Sequence, residues 1–385
     1  MTAAEAHGAY RDTRFFASLD GLRAICIFMV IWHHSTLLYA VDEVAPFFVR
    51  RGFTGVDFFF VLSGFLITTL LLREEDAKGR FSLRGFYRRR ILRIVPVYFL
   101  VVTLVGGWFV LVKGETQYAP LWPYYYAFLS NFLLGDIPTL APTWSLSVEE
   151  QYYLFWPLAL LLLPARAGVR ITLLLALIGY AFLLGLGLLP RPGAIETDHA
   201  RIFFAIGSYA PILIGSLTAI VLHGPRGFAM LWPLVGHRWF PALGFLVLLG
   251  LWQWLPERLA GWPNFLMHPL MALIVASLVV RDDHVMRAPL TFRPVARIGA
   301  ISYGLYLWHL IGLHIATEIT GALGFAPGLG TDVILTLLYV AISIAIAELS
   351  FRFFEAHFLR LKTPRARRPR PTVARRTGPP GDQAG

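Results

Sequence analysis

The sequence predicts an all-α integral membrane protein with about ten transmembrane helices. Hydrophobic residues make up 57% of the 385 residues, charged residues only 15%, and the mean hydropathy is +0.62. A soluble domain of this length does not have that balance, whereas a polytopic membrane protein does. Ten apolar runs have roughly the length needed to cross a hydrocarbon core about 30 Å thick. These runs are residues 22–38, 56–72, 94–112, 148–163, 171–189, 202–222, 240–255, 265–280, 298–319 and 333–353.

Basic residues are distributed unevenly between the two sides of the predicted membrane. With the N-terminus inside, 28 of the 34 lysines and arginines fall on the inner side and six on the outer side. This asymmetry predicts an N-in/C-in topology, because inner loops carry the excess of positive charge. The net charge of +11 therefore belongs to loops that contact membrane lipids, and no nucleic-acid partner is expected.

The chain divides into a membrane part and two short ends. Residues 1–14 are expected to form a cytoplasmic N-terminal tail, and residues 15–360 the membrane domain. Residues 361–385 are basic and Pro/Arg-rich, which predicts a disordered cytoplasmic tail. Residues 121–134 are rich in Trp, Tyr and Phe but too few to cross, so we expect them at the interface or in a re-entrant segment.

Two histidines are predicted to lie near the middle of the membrane. His34 comes eleven residues after Arg23, a helical rise of about 16 Å, and His309 comes twelve residues after Arg297. Ionisable groups at this depth are costly and usually functional, which makes His34 the leading candidate for a catalytic base. The alternative is that these rings form hydrogen bonds between helices as packing contacts. His33 points about 100° away from His34 and is expected to support it.

Three carboxyl groups are expected in the outer half of the membrane, somewhat above the histidines. Asp57 begins the second apolar run, and Glu149 and Glu150 begin the fourth. A carboxylate next to a neutral imidazole orients the ring and stabilises it once it has taken a proton. For Glu150 a structural role is an equal alternative, because Ser147 and Glu150 match the Ser-x-x-Glu capping box.

A dense group of arginines precedes the third apolar run. Arg89, Arg90 and Arg93 fall within about one helical turn, and Arg90 and Arg93 share a face. Guanidinium groups bind phosphates with two hydrogen bonds, so this group predicts a site for a ligand with several phosphates. The alternative is that these arginines anchor the helix to lipid phosphates.

Taken together, these stretches resemble the membrane acyltransferase-3 family, the O-acyltransferases of bacterial surface glycans and some secondary metabolites. The resemblance covers roughly residues 15–360 and its most specific element is Arg-x10-His, met by Arg23 and His34. It is supported by residues 55–65 (GVDFFFVLSGF), by the arginines 89, 90 and 93 before Pro96, by residues 144–151 (WSLSVEEQ) and by residues 301–309 (ISYGLYLWH).

The resemblance implies ten core helices in the bacterial inner membrane and an acyl-coenzyme A donor, most simply acetyl-coenzyme A, on the cytoplasmic side. The acceptor would be a hydroxyl of a glycan or glycosylated molecule at the outer side. Some members add a soluble esterase-like domain after the membrane part. Because only a basic tail follows here, any such partner is expected to be a separate periplasmic protein.

The resemblance also implies roles for particular residues, and no metal. Arg23, Arg89, Arg90 and Arg93 would hold the donor phosphates. His34 would act as general base or as acyl carrier, with Asp57, Glu149, Glu150 and His309 as further catalytic candidates. The residues expected to contact substrate are His33, Ser63, Ser145, Ser302 and Tyr303.

Two other functions remain open from the sequence. One is a proton-coupled flippase or transporter for a glycan or lipid, whose buried His and carboxylates relay protons. The other is a scaffold for surface-polymer assembly. The acceptor, the acyl chain length and the oligomeric state are not encoded in any motif.

Overall fold

The computed structural model describes residues 1–190, 193–203, 206–256, 259 and 261–362. This part of the chain is almost entirely helical, apart from one short antiparallel pair, β1 (Ile195–Glu196) and β2 (Arg201–Ile202). Its α-helices are α1 (Ala3–Asp12), α2 (Ser18–His33), α3 (Thr36–Ala40), α4 (Phe47–Arg50), α5 (Gly55–Lys78), α6 (Leu83–Gly107), α7 (Trp122–Tyr126), α8 (Thr143–Leu162), α9 (Ala167–Gly185), α10 (Ile206–His223), α11 (Pro225–Val235), α12 (Phe240–Trp254), α13 (Trp262–Val280), α14 (Arg287–Thr291), α15 (Arg293–Ala300), α16 (Ser302–Ala322), α17 (Leu329–Ser350) and α18 (Ala356–Arg360).

The all-α membrane fold predicted from the sequence is confirmed. Each of the ten predicted apolar runs overlaps for most of its length with one helix of the structure, in order α2, α5, α6, α8, α9, α10, α12, α13, α16 and α17. Among the described residues, six helical segments are long and apolar enough to cross a membrane. The number rises to eight if two bent pairs count as single spans, α11 with α12 at 71° and α15 with α16 at 79°. The count of ten and the N-in/C-in orientation stay predictions.

The first predicted span is broken where the sequence predicts one continuous helix. Helix α2 ends at His33, and His34 is its C-terminal cap residue. The Ser35 side chain then accepts a hydrogen bond from the Leu38 backbone N–H at 3.2 Å and starts α3. A serine at this position is a strong N-cap, which explains why a new helix begins there. His34 therefore lies at a helix end and not inside a helix.

Close backbone contacts hold α2 in place and with it Arg23. A Cβ atom added at Gly21 would lie 2.2 Å from the Leu290 carbonyl oxygen, and one at Gly299 would lie 1.7 Å from the Asp20 carbonyl oxygen. Only glycine permits α2 to approach α14 and α15 this closely. Asp20 also accepts a hydrogen bond from Arg23 at 2.6 Å.

Helices α5 and α10 cross in the same way. A Cβ atom at Gly64 would lie 1.9 Å from the Ile212 carbonyl oxygen, and one at Gly215 would lie 2.1 Å from the Val61 carbonyl oxygen. Two glycines facing each other's backbone allow the helices to touch without intervening side chains. This contact fixes the middle of α5, which carries Ser63.

A buried set of hydrogen bonds joins α8 to these two helices. The Thr68 hydroxyl donates to the Ser216 Oγ atom at 2.8 Å, and the Trp156 indole N–H donates to the Thr68 Oγ1 atom at 2.8 Å. Tyr152 and Ser216 share a further hydrogen bond at 2.5 Å. Interhelical hydrogen bonds of this kind stabilise membrane helix packing, so α8 has a defined register against α5.

The aromatic stretch 121–134 and the two chain ends take forms that the sequence left open. Residues 116–132 form short helical pieces, α7 among them, and none is long enough to cross a membrane. The first of the N-terminal residues form α1, in which Ala6 and Tyr10 are buried. Of the predicted tail 361–385, only residues 361 and 362 fall in the described part of the chain.

Candidate active site

An interior cavity of about 310 Å³ lies between α2, α5, α6, α8 and α16. Its size is at the lower end of the range for small-molecule pockets. The polar residues that line it are Arg14, Arg23, Ser63, Thr69, Arg73, Arg90, Arg93, Ser145, Glu149, Tyr153, Ser302, Tyr303 and Tyr306. The lining thus carries five arginines and one carboxylate, Glu149, and this excess of positive charge would attract an anion.

The arginines of the cavity differ in how they are held. Arg73 donates to the backbone carbonyl oxygens of Thr13 and Tyr10 at 2.5 and 2.7 Å, so it fixes the chain before α2. The Arg90 guanidinium stacks over the Tyr153 ring at 4.7 Å. Within the described part of the chain, Arg93 forms no ion pair, and its exposed side chain opens into the cavity. Such a guanidinium is available for a phosphate.

Arg89 does not belong to this group, although its spacing predicts that it does. It is exposed, forms an ion pair with Glu74 at 3.2 Å and is not among the cavity-lining residues. Arg89 is one turn before Arg93, only about 40° away around α6, so helical position alone does not exclude it. The ion pair with Glu74 holds its guanidinium outside the cavity lining.

Glu149 lies at the arginine end of the cavity and not above the histidines. It accepts a hydrogen bond from the Ser63 hydroxyl at 2.7 Å and is close enough to Arg90 and Arg23 to interact electrostatically. Ser145, one turn earlier in α8, shares a hydrogen bond with Tyr306 at 2.7 Å. Glu149 is one turn, or about 6 Å, further along α8 than Ser145, and its electrostatic contacts are with the arginines. The structure thus groups Glu149 with the arginines, whereas the sequence predicts that it accompanies the histidines.

Glu150 and Ser147 do not form the predicted capping box. Helix α8 begins at Thr143, one turn before Ser147, so Ser147 is inside the helix. The Ser147 Oγ atom instead accepts the Ser130 N–H at 3.2 Å. Glu150 interacts electrostatically with Arg90 and Glu149 but is not among the residues that line the cavity.

Asp57 is also separate from His34. Its Oδ2 atom lies 3.6 Å from the Nε2 atom of His268 on α13, whose ring is buried. The His34 Nδ1 atom bonds to the Val30 backbone carbonyl oxygen at 2.8 Å. A carbonyl, not a carboxylate, therefore orients His34, and this carbonyl also accepts the His34 backbone N–H at 3.3 Å.

Three histidine rings form a row beside the cavity. The centroids of His33 and His34 are 5.0 Å apart, and those of His34 and His309 are also 5.0 Å apart. The Nδ1 atom of His309 bonds to the Tyr306 carbonyl oxygen at 2.6 Å. A nitrogen that bonds to a carbonyl must carry the proton, so a neutral ring at either position keeps its lone pair on Nε2. Both His34 and His309 can therefore accept a proton.

Tyr306 connects the cavity to this row. Its ring lines the cavity and its centroid lies 5.6 Å from that of His309, whereas the three histidines are not among the lining residues. Its hydroxyl donates to the Pro142 carbonyl oxygen at 2.9 Å. Tyr306 was not predicted as a site residue, although it is three residues from both Tyr303 and His309 and so neighbours each of them on the helix surface.

The two remaining predicted residues lie where α16 begins. Ser302 and Tyr303 both line the cavity, and the Tyr303 hydroxyl donates to the Ile94 carbonyl oxygen at 3.3 Å. Within the described residues, no group of three or more His, Cys, Asp or Glu side chains could hold a metal ion. The polar side chains that line the cavity are cations, hydroxyls and one carboxylate.

These features define the class of the chain: a helical, multi-pass membrane protein with a cationic interior cavity that ends beside a pair of histidines. The family model for an acyltransferase domain matches residues 16–348, which include the histidine row and every cavity-lining residue except Arg14 and Phe15. The chain belongs to the acyltransferase-3 family. No solved structure matches it significantly.

Curated relatives agree with this assignment. The chain is 29% identical to the peptidoglycan O-acetyltransferase OatA of Listeria monocytogenes, over 89% of this chain and 55% of OatA. It is 28% identical to a provisionally named O-acetyltransferase of Staphylococcus aureus, over 91% of this chain and 58% of the relative. A provisionally named peptidoglycan O-acetyltransferase of Bacillus subtilis, YrhL, is 29% identical over 89% of this chain and 54% of its own. The chain thus spans little more than half the length of these relatives.

Proposed function

We propose that the chain transfers an acyl group, most simply acetyl, from acyl-coenzyme A to a hydroxyl group of a glycan. The observation that carries this proposal is one cavity whose lining runs from five arginines to Tyr306, next to two histidines that can accept protons. The arginines suit the phosphates of the donor, and the histidines suit the deprotonation of an alcohol. Membership of the acyltransferase-3 family supports the same chemistry.

The distance along α2 from Arg23 to His34 is comparable with the length of the donor's pantetheine arm. The pantetheine arm has about the length of four to five extended residues, or roughly 15 Å by the reach of an extended chain. The helical rise from Arg23 to His34 is about 16 Å. With its phosphates at Arg23, Arg90 and Arg93, the donor would present its thioester near Tyr306. Rotation of the Tyr306 ring would then admit the thioester to His34.

At His34 the Nε2 atom would take the proton of the acceptor hydroxyl. The hydroxyl oxygen would form the new ester bond with the acyl carbon, the carbon–sulfur bond would break, and the coenzyme thiolate would leave. In the alternative route His34 first accepts the acyl group and then passes it to the hydroxyl. His309, in ring contact with His34, is placed to assist by accepting a hydrogen bond.

The carboxylates take a different role from the one that the sequence predicts. Glu149 and Ser63 lie along the path of the pantetheine arm, where a carboxylate accepts hydrogen bonds from amide N–H groups. Ser302 and Tyr303 line the same stretch. We assign these residues to donor binding. Asp57 and Glu150 lie outside the cavity lining, and we assign them no contact with substrate.

The acceptor is assigned from the relatives. Because two of them are named for peptidoglycan, we propose a cell-wall or other envelope carbohydrate as the acceptor. The site would lie in the bacterial inner membrane with the arginines toward the cytoplasm, in keeping with the N-in/C-in prediction. The acceptor would then approach His34 from the opposite side, and a separate periplasmic protein could present it.

The direct test uses purified protein in lipid nanodiscs with acetyl-labelled acetyl-coenzyme A and a peptidoglycan fragment. The wild-type protein should release free coenzyme thiol and label the fragment, whereas His34→Ala should reduce transfer by at least about a hundredfold, the scale for loss of a general base. His314→Ala is the matched control, because His314 lies on α16 yet contacts none of the three rings within the described part of the chain. A flippase would leave the thioester intact. Normal transfer by a folded His34→Ala variant would reject the catalytic assignment.

A further inference from the structure

Two residues at the rim of the cavity, Arg14 and Phe15, have no individual role in the transfer step proposed for His34. Phe15 is 67% exposed and Arg14 is exposed too, yet both line the cavity. The neighbouring Phe16 is different, because its ring packs between Tyr10 at 5.8 Å and Phe65 at 6.1 Å. The chain is thus anchored at Phe16 while the ring of Phe15 stays uncovered.

The rim is held in a defined position. Arg73 donates to the Thr13 and Tyr10 carbonyl oxygens, and its guanidinium lies 5.2 Å from the Phe16 ring centroid. These contacts fix the backbone on one side of Arg14 and Phe15, and the start of α2 at Ser18 fixes it on the other. An exposed aromatic ring on a fixed backbone loses little conformational entropy on binding a ligand.

The positive charge of the cavity lining favours a ligand with several negative charges. Arg14 and Arg93 form no ion pair within the described part of the chain, and Arg93 lies within electrostatic range of Arg23 and Arg90. Like charges close together destabilise one another, and an anion bound among them would relieve this repulsion. An aromatic ring beside such arginines is the usual arrangement for stacking a nucleobase next to its phosphates.

We propose that Phe15 stacks on the adenine ring of the donor and that Arg14 binds the donor's ribose phosphate. This inference rests on the proposed function, because it names the part of acyl-coenzyme A that the rim recognises. The other reading of an exposed Phe at a helix start is an interfacial lipid anchor. Both residues line the cavity, whereas a lipid anchor would face away from it. This position favours binding of the nucleotide over anchoring in lipid.

The test compares two donors that differ only in the nucleotide. Acetyl-coenzyme A carries the adenosine and its phosphates, and acetyl-pantetheine carries neither. The readout is the KM of acetyl-pantetheine divided by the KM of acetyl-coenzyme A, both measured by thiol release in nanodiscs. Phe15→Ala should raise the KM of acetyl-coenzyme A by about tenfold, which is the scale for loss of one base-stacking contact. The KM of acetyl-pantetheine should not change, so the ratio should fall about tenfold. Phe15→Trp should restore the ratio, and Phe15→Leu, which keeps apolar bulk without a ring, should not.

Three outcomes would overturn the inference. Phe15→Ala could leave both KM values unchanged, or it could raise both by the same factor, as expected for a lipid anchor or a loss of local structure. Phe15→Leu could also restore the ratio, which would make the contact merely apolar. In each of these cases wild-type turnover of acetyl-coenzyme A still supports the proposed function. If the wild-type protein does not consume acetyl-coenzyme A at all, both proposals fail together.

Discussion

Replacement of a single arginine separates a phosphate site from a lipid anchor. Arg93 lines the cavity and has no ion-pair partner in the described part of the chain, so Arg93→Gln removes a charge available to the donor. A hydrogen bond to a charged group is worth about 1.5–3 kcal/mol, which corresponds to roughly a 10- to 150-fold change in affinity. Because the Arg93 side chain is exposed to the cavity, water screens its charge, and we expect Arg93→Gln to weaken donor binding by about tenfold, the lower end of that range.

The assay is titration of acetyl-coenzyme A into nanodisc-embedded protein at low and high salt. The loss of donor affinity caused by Arg93→Gln should be smaller at high salt, because added ions screen a charge that is exposed to water. Arg89→Gln is the matched control on the same helix, with an equal loss of charge. Arg89 is paired with Glu74 outside the cavity, so its loss should change donor affinity less than about twofold. Equal losses in both variants, or no loss in either, would refute a localised phosphate site.

Two further predictions concern the scaffold. Gly64→Ala should lower the unfolding free energy by about 1–3 kcal/mol, because the new methyl group would lie 1.9 Å from the Ile212 carbonyl oxygen. Thermal unfolding in detergent measures this effect. His284, in the loop after α13, is buried, and burial lowers the pKa of its ring below the usual value of about 6.5. The unfolded chain therefore binds a proton more readily than the folded chain. Stability should be full above about pH 6.5 and fall as the pH drops from there toward the folded-state pKa.

Each of these predictions has its own control. Gly179→Ala, in the middle of α9, places a methyl group with nothing within 4 Å and should not destabilise the protein. A Gly64→Ala variant as stable as Gly179→Ala would mean that α5 and α10 do not cross closely. For the pH effect, His284→Gln should show a shallower loss of stability between pH 8 and pH 5 than the wild-type protein. The same acid dependence in both proteins would exclude His284 as its source.

Much of the fold could be predicted from composition and apolar run length. A lipid environment forces every backbone group into an internal hydrogen bond, so an apolar run of sufficient length forms a helix almost regardless of its neighbours. The break at His34 was not predicted, because it depends on Ser35 acting as a cap within an otherwise apolar run. The close crossings at Gly21 and Gly64 were not predicted either, since nothing in a single sequence says which helix a glycine faces.

In the candidate site too, the sequence predicts what depends on one helix and not what depends on packing between helices. Spacing along one helix correctly gathers Arg90 and Arg93 on one face, because helical geometry is local. It includes Arg89 wrongly, since Arg89 turns to Glu74 on another helix. The levels of Asp57 and Glu149 depend on how α5 and α8 slide against their neighbours, and a run of apolar residues does not determine that register.

The sequence alone therefore determined the helical membrane fold, the kinds of ionisable residues inside it and the resemblance to acyltransferases. Only the tertiary structure decided which of those residues meet: His34 with His309, Glu149 with Ser63 and the arginines, and Asp57 with His268. The physical reason is one of range. Helix formation is satisfied by hydrogen bonds within a segment, whereas the meeting of two side chains depends on packing between segments far apart in the chain.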